Sequence, residues 1–401
     1  MESSRGATSA RSVTYLTAGV LLVIATYGLL SNYQSAVLNS VVESFHLTGG
    51  AQGIMSALIN LGAVAAFLVA PMLQGRVKKT SVILTGAMIL VFSFFLLGMV
   101  RAFAGFVVAS VLVGVGFGWV DANCNAVMVD LHHDDSAKYL GLLHGGFGVG
   151  GLTAPLLIGA LLTVVSWHTV SLLMSGLIAL AALVFFLLLS SAKKGIPAAA
   201  KEQPLTRAGI RAFLFQKKNV MLLIATMLYA ASQAGFLVWI VRYMTLQYHA
   251  ESLGSIALSL YWVFGTLSRF FAPRLKIHPL MLFLLGVALT FVFQTIGVLS
   301  GSAVVMCVMG ALIGLVSGHC VPMILSVASA VNPGQSSLVA SSFLISIYAT
   351  NIVSPLFMGA LASWTSLNVM MLAPSVSAVL AAAVALLILL DERRAAAKQV
   401  A

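Results

Sequence analysis

Apolar residues occupy the chain in runs of about 20 residues or more, and short polar segments separate one run from the next. An α-helix rises 1.5 Å per residue, so roughly 20 apolar residues cross the ~30 Å hydrocarbon core of a bilayer. Because each run is long enough to do so, the pattern predicts an all-α membrane protein. Twelve membrane-spanning helices are predicted, at about residues 14–42, 52–74, 80–100, 103–129, 138–164, 168–190, 219–242, 252–273, 279–299, 302–328, 336–361 and 367–390.

The segments between these spans also predict the topology. Most are shorter than about ten residues, so neighbouring helices must run antiparallel, and an even number of spans puts both chain ends on one side. Eighteen of the 21 Lys and Arg residues lie on that side, whereas Arg101 and Arg242 lie near the opposite face. Cytoplasmic segments carry the excess of Lys and Arg. We therefore expect a multi-pass protein of the cytoplasmic (inner) membrane with both termini in the cytoplasm.

The longest polar segment, residues 190–219, holds seven Lys and Arg residues and a single acid, Glu202. It divides the chain into an N-terminal six-helix bundle at residues 1–189 and a C-terminal six-helix bundle with a short tail at residues 220–401. Residues 205–215 within this linker are amphipathic, and basic amphipathic helices bind anionic lipid surfaces. The linker is therefore expected to be a cytoplasmic tether that lies on lipid headgroups.

The two halves repeat one another in sequence. Three short motifs recur in corresponding spans at an offset of about 200 residues. They are PLLIGAL at residues 155–161 and PLFMGAL at 355–361, APML at 70–73 and APRL at 272–275, and the glycine pairs Gly114 with Gly118 and Gly310 with Gly314. Three matches near one offset indicate a duplicated unit, so the prediction is two pseudo-symmetric bundles.

Composition excludes most other classes of protein. Hydrophobic residues make up 60% of the 401 residues and charged residues only 8%, with a mean hydropathy of +1.06, whereas about a quarter of residues are charged in soluble domains. The three cysteines, Cys124, Cys307 and Cys320, lie inside apolar runs and predict small buried side chains rather than disulfides. The net charge of +11 comes from the segments between spans, so we attribute it to topology and expect no nucleic-acid partner.

The sequence predicts neither an enzyme nor a bound cofactor. It contains no G-x-S-x-G motif, no H-E-x-x-H motif and no cysteine pair, and no soluble catalytic domain remains once the spans are removed. Residues 132–135 (HHDD) could bind a metal ion, but they lie in a polar loop, and we expect no metal site there.

One acid lies deep inside a predicted span. Nine of the ten Asp and Glu residues occupy helix ends, loops or tails, and only Asp121 lies within an apolar run, that of span 4. It shares a helix face with Gly114, Gly118 and Asn125, and a face so polar and small cannot point at lipid. Burial favours the neutral acid until a substrate, water or cation arrives. We predict a proton-coupling carboxylate; the alternative is a hydrogen-bonded acid that packs helices together.

Other polar and aromatic side chains at mid-span depth are candidates for binding a small polar solute. Aromatic rings beside amides suit a neutral polyhydroxylated ligand, because a sugar offers an apolar C–H face and a rim of hydroxyl groups. The predicted substrate-binding residues are Asn125, His144, Tyr229, Gln233, Trp262, His319, Tyr348 and Asn351.

The roles of the histidines within spans have more than one interpretation, and one arginine also lies within a span. His144 could bond substrate or relay protons, and it shares a stripe with Gly148 and Gly151 on which span 5 is expected to pack closely. As lone histidines, His144 and His319 could equally be hydrogen-bonded packing groups. Arg269, inside span 8, is predicted to belong to the cytoplasmic gate.

Two six-span repeats joined by a basic cytoplasmic linker resemble the major facilitator superfamily of transporters over the whole chain. The resemblance implies a substrate site near mid-membrane between the halves and transport by their rocking around it. Residues 76–79 (RVKK) match the basic end of the superfamily's signature between spans 2 and 3, and this match implies a gating role for Arg76. Gln74 stands where the signature usually has an aspartate.

Four spans further resemble the fucose permease group of sugar/proton symporters. The matching segments are residues 116–125 (GFGWVDANCN), 142–148 (LLHGGFG), 229–233 (YAASQ) with 240–243 (IVRY), and 262–270 (WVFGTLSRF). The resemblance implies that Asp121 is the protonated acid, that Asn125 and Gln233 are substrate-site amides, and that His144 lines the cavity. Residues 30–35 (LSNYQS) contain no acid, whereas the symporters of the group have one in span 1. Coupling then rests on Asp121 alone or is absent, which would leave a facilitator.

The leading hypothesis is a monomeric, proton-linked importer of a sugar or a similar small polar solute, with the solute, protons and the lipid bilayer as its partners. A competing hypothesis is a proton antiporter that exports drugs or metabolites. Residues 150–155 (GGLTAP) with Gly159 resemble the antiporter motif of span 5, with Ala154 in place of its usual glycine. A membrane enzyme or receptor is a third hypothesis, against which the missing catalytic motifs argue.

Overall fold

The computed structural model describes residues 2–46, 51–73, 75–192 and 206–400, and its regular elements in these ranges are all helices. Eleven of the described helices are long and apolar enough to cross a membrane. A shorter apolar helix, Leu58–Leu73, falls within the second predicted span. Together they account for the twelve predicted spans, and the all-α fold is confirmed.

The first of two compact units comprises Met1–Leu205 and Asn332–Ile345. Its helices are α1 (Glu2–Ser31), α2 (Tyr33–Ser44), α3 (Ala51–Val69), α4 (Lys79–Met99), α5 (Phe103–Leu131), α6 (Ser136–Leu162) and α7 (Trp167–Ala192), with 3₁₀ turns at Ala70–Leu73 and His133–Asp135. Helix α5 packs against α3 and α4, α7 packs against α1 and α4, and α1 also packs against α6.

The second unit comprises Thr206–Val331 and Ser346–Ala401. Its helices are α8 (Arg207–Phe215), α9 (Lys217–Tyr248), α10 (Glu251–Phe271), α11 (Pro279–Leu299), α12 (Ala303–Ser317), α13 (Cys320–Val331) and α15 (Leu367–Val400), while α14 (Ser336–Trp364) begins in the first unit and continues in the second. Helix α12 packs against α10 and α11, and α15 packs against α9 and α11. These contacts correspond to those of α5 with α3 and α4, and of α7 with α1 and α4, in the first unit, as a duplicated six-helix unit requires.

The helical hydrogen bonds of span 10 are interrupted in its middle, where Gly318 keeps helical dihedral angles (φ −56°, ψ −33°). The sequence predicts one helix over residues 302–328, whereas α12 ends at Ser317 and α13 begins at Cys320. The cause is Pro322. In a continuous helix, residue 322 would donate its N–H to the carbonyl of Gly318, and proline has no N–H to give.

Span 1, predicted over residues 14–42, is also divided, at Asn32 between α1 and α2. The hydroxyl of Ser31 donates to the carbonyl of Gly28 at 2.8 Å, and the amide of Asn32 donates to the carbonyl of Gly151 in α6 at 3.3 Å. Side chains that bond backbone groups in this way compete with the helical hydrogen bonds.

Glycines bring neighbouring helices into backbone contact in both units. A methyl group on Gly114 of α5 would lie 2.1 Å from the carbonyl oxygen of Ile59 in α3. A methyl group on Gly314 of α12 would lie 2.3 Å from the carbonyl oxygen of Tyr261 in α10. The glycines that repeat in the sequence therefore hold corresponding helix pairs together.

The closest approach of α6 to α1 differs from the expectation for span 5. It occurs at Gly150, where a methyl group would lie 2.0 Å from the carbonyl oxygen of Ala25, one residue away from the predicted stripe. At Gly151, within that stripe, the nearest atom would be the Asn32 amide nitrogen at 3.3 Å. The spacing identified the right helix face but not the residue of closest contact.

The amphipathic stretch of the linker is helical at Arg207–Phe215, and Thr206 caps it by accepting a hydrogen bond from the N–H of Gly209 at 3.0 Å. Phe213 is buried, whereas Phe215 is 76% exposed. Residues 193–205 of the linker lie outside the described residues. Binding of α8 to lipid headgroups stays a prediction.

Candidate functional site

Asp121 lies on α5 and is 7% exposed. The side-chain amide of Asn125, one turn later, donates to the Asp121 carboxyl oxygen Oδ1 at 2.9 Å and to its backbone carbonyl at 3.0 Å. The hydroxyl of Tyr27, on α1, also hydrogen-bonds the carboxyl group. The aromatic rings of Phe117 and Phe147 surround Tyr27, with centroids 4.6 and 5.2 Å from its ring. The predicted acid is therefore buried in protein and hydrogen-bonded on more than one side.

His144 extends this network from α6. Its Nε2 lies 3.0 Å from Oδ1 of Asn125. The orientation of the Asn125 amide is fixed, because its nitrogen bonds a backbone carbonyl, which can only accept. Oδ1 of Asn125 is therefore an acceptor, and Nε2 of His144 must carry the proton. Three predicted site residues thus form one chain of hydrogen bonds, from Asp121 through Asn125 to His144.

Sequence reasoning missed Tyr27. It lies in span 1, 94 residues before Asp121 along the chain, in a span that has no acid. A hydroxyl group at mid-span depth was the one available signal.

A second group of predicted residues gathers around the break in span 10. The hydroxyl of Tyr229 donates to the carbonyl of Ser317 at 2.9 Å. The amide of Gln233 donates to the hydroxyl of Tyr261 at 2.8 Å, and that hydroxyl lies 3.4 Å from Oγ of Ser317. Nε of Arg269 donates to the carbonyl of Gly318 at 3.0 Å. Side chains from α9 and α10 therefore gather at this break, among them Tyr261, another aromatic residue of span 8.

Both ring nitrogens of His319 have protein partners. Nε2 lies 3.1 Å from the carbonyl of Leu282 and Nδ1 lies 2.8 Å from the hydroxyl of Ser268. Because the carbonyl only accepts, Nε2 carries the proton and Nδ1 accepts from the hydroxyl. His319 is 6% exposed. This geometry favours a packing group over a substrate ligand.

The remaining candidates lie on α14 and in the loop before α4. Tyr348 is partly exposed and Asn351 is exposed. Arg76 is also exposed, and Gln74 lies outside the described residues. The substrate-binding and gating roles of these residues stay predictions. Within the described ranges, no group of three or more His, Cys, Asp or Glu side chains could hold a metal ion.

A polar triad that was not predicted holds the start of α14 in the first unit. Nζ of Lys79 lies 2.5 Å from Oδ2 of Asp130 and donates to Oγ of Ser336 at 2.6 Å. The Ser336 hydroxyl donates to Oδ1 of Asp130 at 2.7 Å. The Lys79 and Asp130 side chains are only 12% and 29% exposed, so solvent screens the pair less than an open surface pair.

Replacing Asp130 with Asn should therefore destabilise the protein. Hydrogen bonds to charged groups contribute about 1.5–3 kcal/mol, and the variant leaves the Lys79 ammonium group without its carboxylate. We expect the melting temperature of the purified protein in detergent to fall by several degrees. The matched control is Asp134→Asn, because the Asp134 side chain is fully exposed. Equal melting temperatures for the two variants would show that the triad contributes no stability.

One family profile matches this chain in sequence, and solved structures match it in fold. The sequence profile described as Major Facilitator Superfamily matches residues 19–279. The chain belongs to the major facilitator superfamily. No curated protein matches the chain by sequence.

Solved structures of the superfamily share the fold of this chain at low sequence identity. The transporter FucP in the outward conformation has a TM-score of 0.79 at 15% identity and covers 94% of this chain and 99% of its own. A variant of the Escherichia coli fucose:proton symporter FucP has a TM-score of 0.77 at 14% identity with the same coverage. The human organic anion transporter MFSD10 (TETRAN) has a TM-score of 0.73 at 17% identity, again covering 94% and 99%.

These findings confirm the predicted fold and the resemblance to the fucose permease group. This member of the major facilitator superfamily is a multi-pass membrane transporter with a small-molecule substrate. At such low identity the structural matches show the fold alone.

Proposed function

We propose that this protein is a secondary active transporter that moves a small polar solute, a sugar or sugar derivative, across the cytoplasmic membrane, coupled to protons through Asp121. Alternating access of a monomer with cytoplasmic termini would carry the solute. The observation that carries the proposal is the chain of hydrogen bonds from Asp121 through Asn125 to His144.

The chemistry of this chain suits a proton carrier. Asp121 is the one acid deep inside a predicted span, and its carboxyl group can bind or release a proton without leaving its two hydrogen-bond partners. Protonation removes the charge of the Asp121 carboxyl group and so weakens the bond that it accepts from Asn125, and hydrogen bonds in a chain polarise one another, so His144 would sense the change. Asn125 and His144 are also the residues proposed to contact the solute, so solute binding and protonation would influence each other.

The second unit has its own groups that fit a hydroxylated ligand. Gln233 and Tyr261 form an amide and phenol pair, and Tyr229 and Trp262 add aromatic faces. Two of the structural neighbours are FucP, one of them described as a fucose:proton symporter, which supports a sugar and a proton as cargo.

The competing functions make different predictions. An uncoupled facilitator would account for the absence of an acid at residues 30–35, and an efflux antiporter would account for the motif at residues 150–155. Transport by proteoliposomes separates the three. The purified protein is reconstituted, a pH gradient is imposed in either direction, and a panel of labelled sugars and sugar acids is offered.

Accumulation of a solute on the side toward which protons move down their gradient supports the proposal. Equilibration without accumulation would identify a facilitator. Accumulation against the direction of proton movement would identify an antiporter and would contradict the proposal.

A further inference from the structure

Arg269 occupies an unusual position beside the break in span 10. Because Pro322 has no N–H, the carbonyl of Gly318 lacks its helical donor, and Nε of Arg269 takes that place at 3.0 Å. Helices α10 and α12 approach closely enough for this bond because glycines meet there: a methyl group on Gly318 would lie 2.2 Å from the carbonyl oxygen of Gly265. The guanidinium group is therefore held in place by backbone geometry.

The charge of Arg269 has no counterion among the described residues of its unit. The residue is 8% exposed, and of the described residues none accepts a hydrogen bond from its Nη1, which is out of contact with solvent. The second unit has three acids. Asp391 and Glu392 pair with Lys217 and Lys218. Glu251 lies 18 residues before Arg269 on the same helix, about 27 Å away along the axis.

An unpaired buried charge is costly, and proteins normally supply a partner for it. The Trp262 ring, with its centroid 5.8 Å from the guanidinium carbon, offers a cation–π contact. The hydroxyls of Tyr229 and Tyr261 lie within electrostatic range. These are neutral groups, so they leave the positive charge of Arg269 uncompensated.

A second unsatisfied polar group lies beside the first. Oγ1 of Thr266 is buried, and it too finds no partner in the part of the chain that the structure describes. Trp262, Thr266 and Arg269 are spaced four and three residues apart and so share one face of α10. The face therefore presents an unpartnered guanidinium N–H, an unpartnered hydroxyl and an aromatic ring.

We propose that Arg269 and Thr266 bind the carboxylate of an anionic solute, so that the natural substrate is a polar carboxylic acid such as a sugar acid rather than a neutral sugar. This inference rests on the proposed transport of a small polar solute and names its chemical class. A guanidinium group binds a carboxylate through parallel N–H donors, and the hydroxyl can donate a further bond. A phosphate, with close to two negative charges, would call for a second cation. One structural neighbour is an organic anion transporter, which is consistent with this class of cargo.

Nη1 is closed to solvent in this conformation, so the site must open for the solute to enter and leave. Alternating access supplies such a rearrangement in transporters. Solute binding and closure would then bring the carboxylate against Arg269 at the moment when water is excluded, which strengthens the ion pair.

Ligand-dependent melting of the purified protein in detergent tests the inference. The probes are D-glucuronate, D-gluconate and L-lactate, each beside its uncharged amide, together with D-glucose and glucose 6-phosphate. A ligand that binds the folded state raises the melting temperature. We expect at least one carboxylate to stabilise the protein and its amide not to do so.

Variants link this effect to the site. Arg269→Gln should weaken binding of that carboxylate about 30-fold or more, because truncating one side of a buried charge pair is strongly unfavourable. Arg269→Lys keeps the charge but loses the planar fork and should weaken binding about tenfold. Arg242→Gln, which removes an exposed arginine of the same unit, is the matched control and should bind as the wild type does.

Three results would overturn the inference: no carboxylate stabilises the wild type, Arg269→Gln binds as tightly as the wild type, or the sugar phosphate stabilises more than the carboxylates. If Arg269→Gln does not fold, Thr266→Val replaces it, with an expected weakening of about fivefold. Binding is measured without a pH gradient. A carboxylate that binds through Arg269 but does not accumulate would therefore support this inference and contradict the proposed proton coupling.

Discussion

Replacing Asp121 with Asn should abolish accumulation driven by a pH gradient while leaving exchange of solute between the two sides. With one proton per solute and no membrane potential, a gradient of one pH unit sustains a concentration ratio of about ten, because each pH unit is worth about 1.36 kcal/mol. The Asn variant cannot bind and release the proton, so the ratio should fall to one. Labelled solute in proteoliposomes measures both accumulation and exchange.

The substitution is mild in structural terms. The Asn side chain keeps an oxygen at the position of Oδ1, which can still accept from the amide of Asn125, so the network from α5 to α6 should survive. Asp134→Asn is the control, because it makes the same chemical change at a fully exposed loop position and should leave accumulation unchanged. Full accumulation by the Asp121 variant would refute the coupling role.

The second large effect is expected from Gly114→Ala, which should prevent stable folding. The added methyl group would lie 2.1 Å from the carbonyl oxygen of Ile59. This oxygen belongs to the backbone, so it cannot move aside as the end of a flexible side chain could. Helices α3 and α5 must then separate, which loses packing along their whole contact. We expect a loss of about 3 kcal/mol or more, at the upper end for overpacked cores, seen as a sharp fall in yield and melting temperature.

Gly176→Ala in α7 is the matched control, since an added methyl group there meets no described atom within 4 Å. Alanine is a better helix former than glycine, so this variant should gain about 0.5–1 kcal/mol. A melting temperature of Gly114→Ala that matched this control would show that the close helix contact is not required.

The spans could be predicted from the sequence because bilayer thickness sets a length that hydropathy measures directly. The breaks could not, since the residues on both sides of Gly318 are as apolar as those of an unbroken helix. Pro322 was visible in the sequence, but helices in membranes tolerate proline when other groups bond the freed carbonyl. In this protein Arg269 bonds the freed carbonyl of Gly318, and only the contact between α10 and α12 brings it there.

In the candidate site, too, the sequence predicted what lies on one helix but not which residues of other helices pack against it. Helix periodicity, which is a local property of the sequence, predicted that Asp121 and Asn125 share one helix face. The partners Tyr27 and His144 lie on other helices, and only the packing of α1 and α6 against the network brings them to Asp121. Arg269 was predicted to belong to the cytoplasmic gate, whereas its burial and its lack of a counterion among the described residues of its unit are visible only in the structure.

Proton movement recorded during solute transport tests the central claim most directly. Proteoliposomes that contain a trapped pH-sensitive dye, with no pH gradient at the start, are given an external solute that the protein transports. If Asp121 carries a proton with each solute, the interior should acidify as the solute enters, and the Asp121→Asn variant should give no signal. Entry of solute into wild-type vesicles without any change of internal pH would contradict the account.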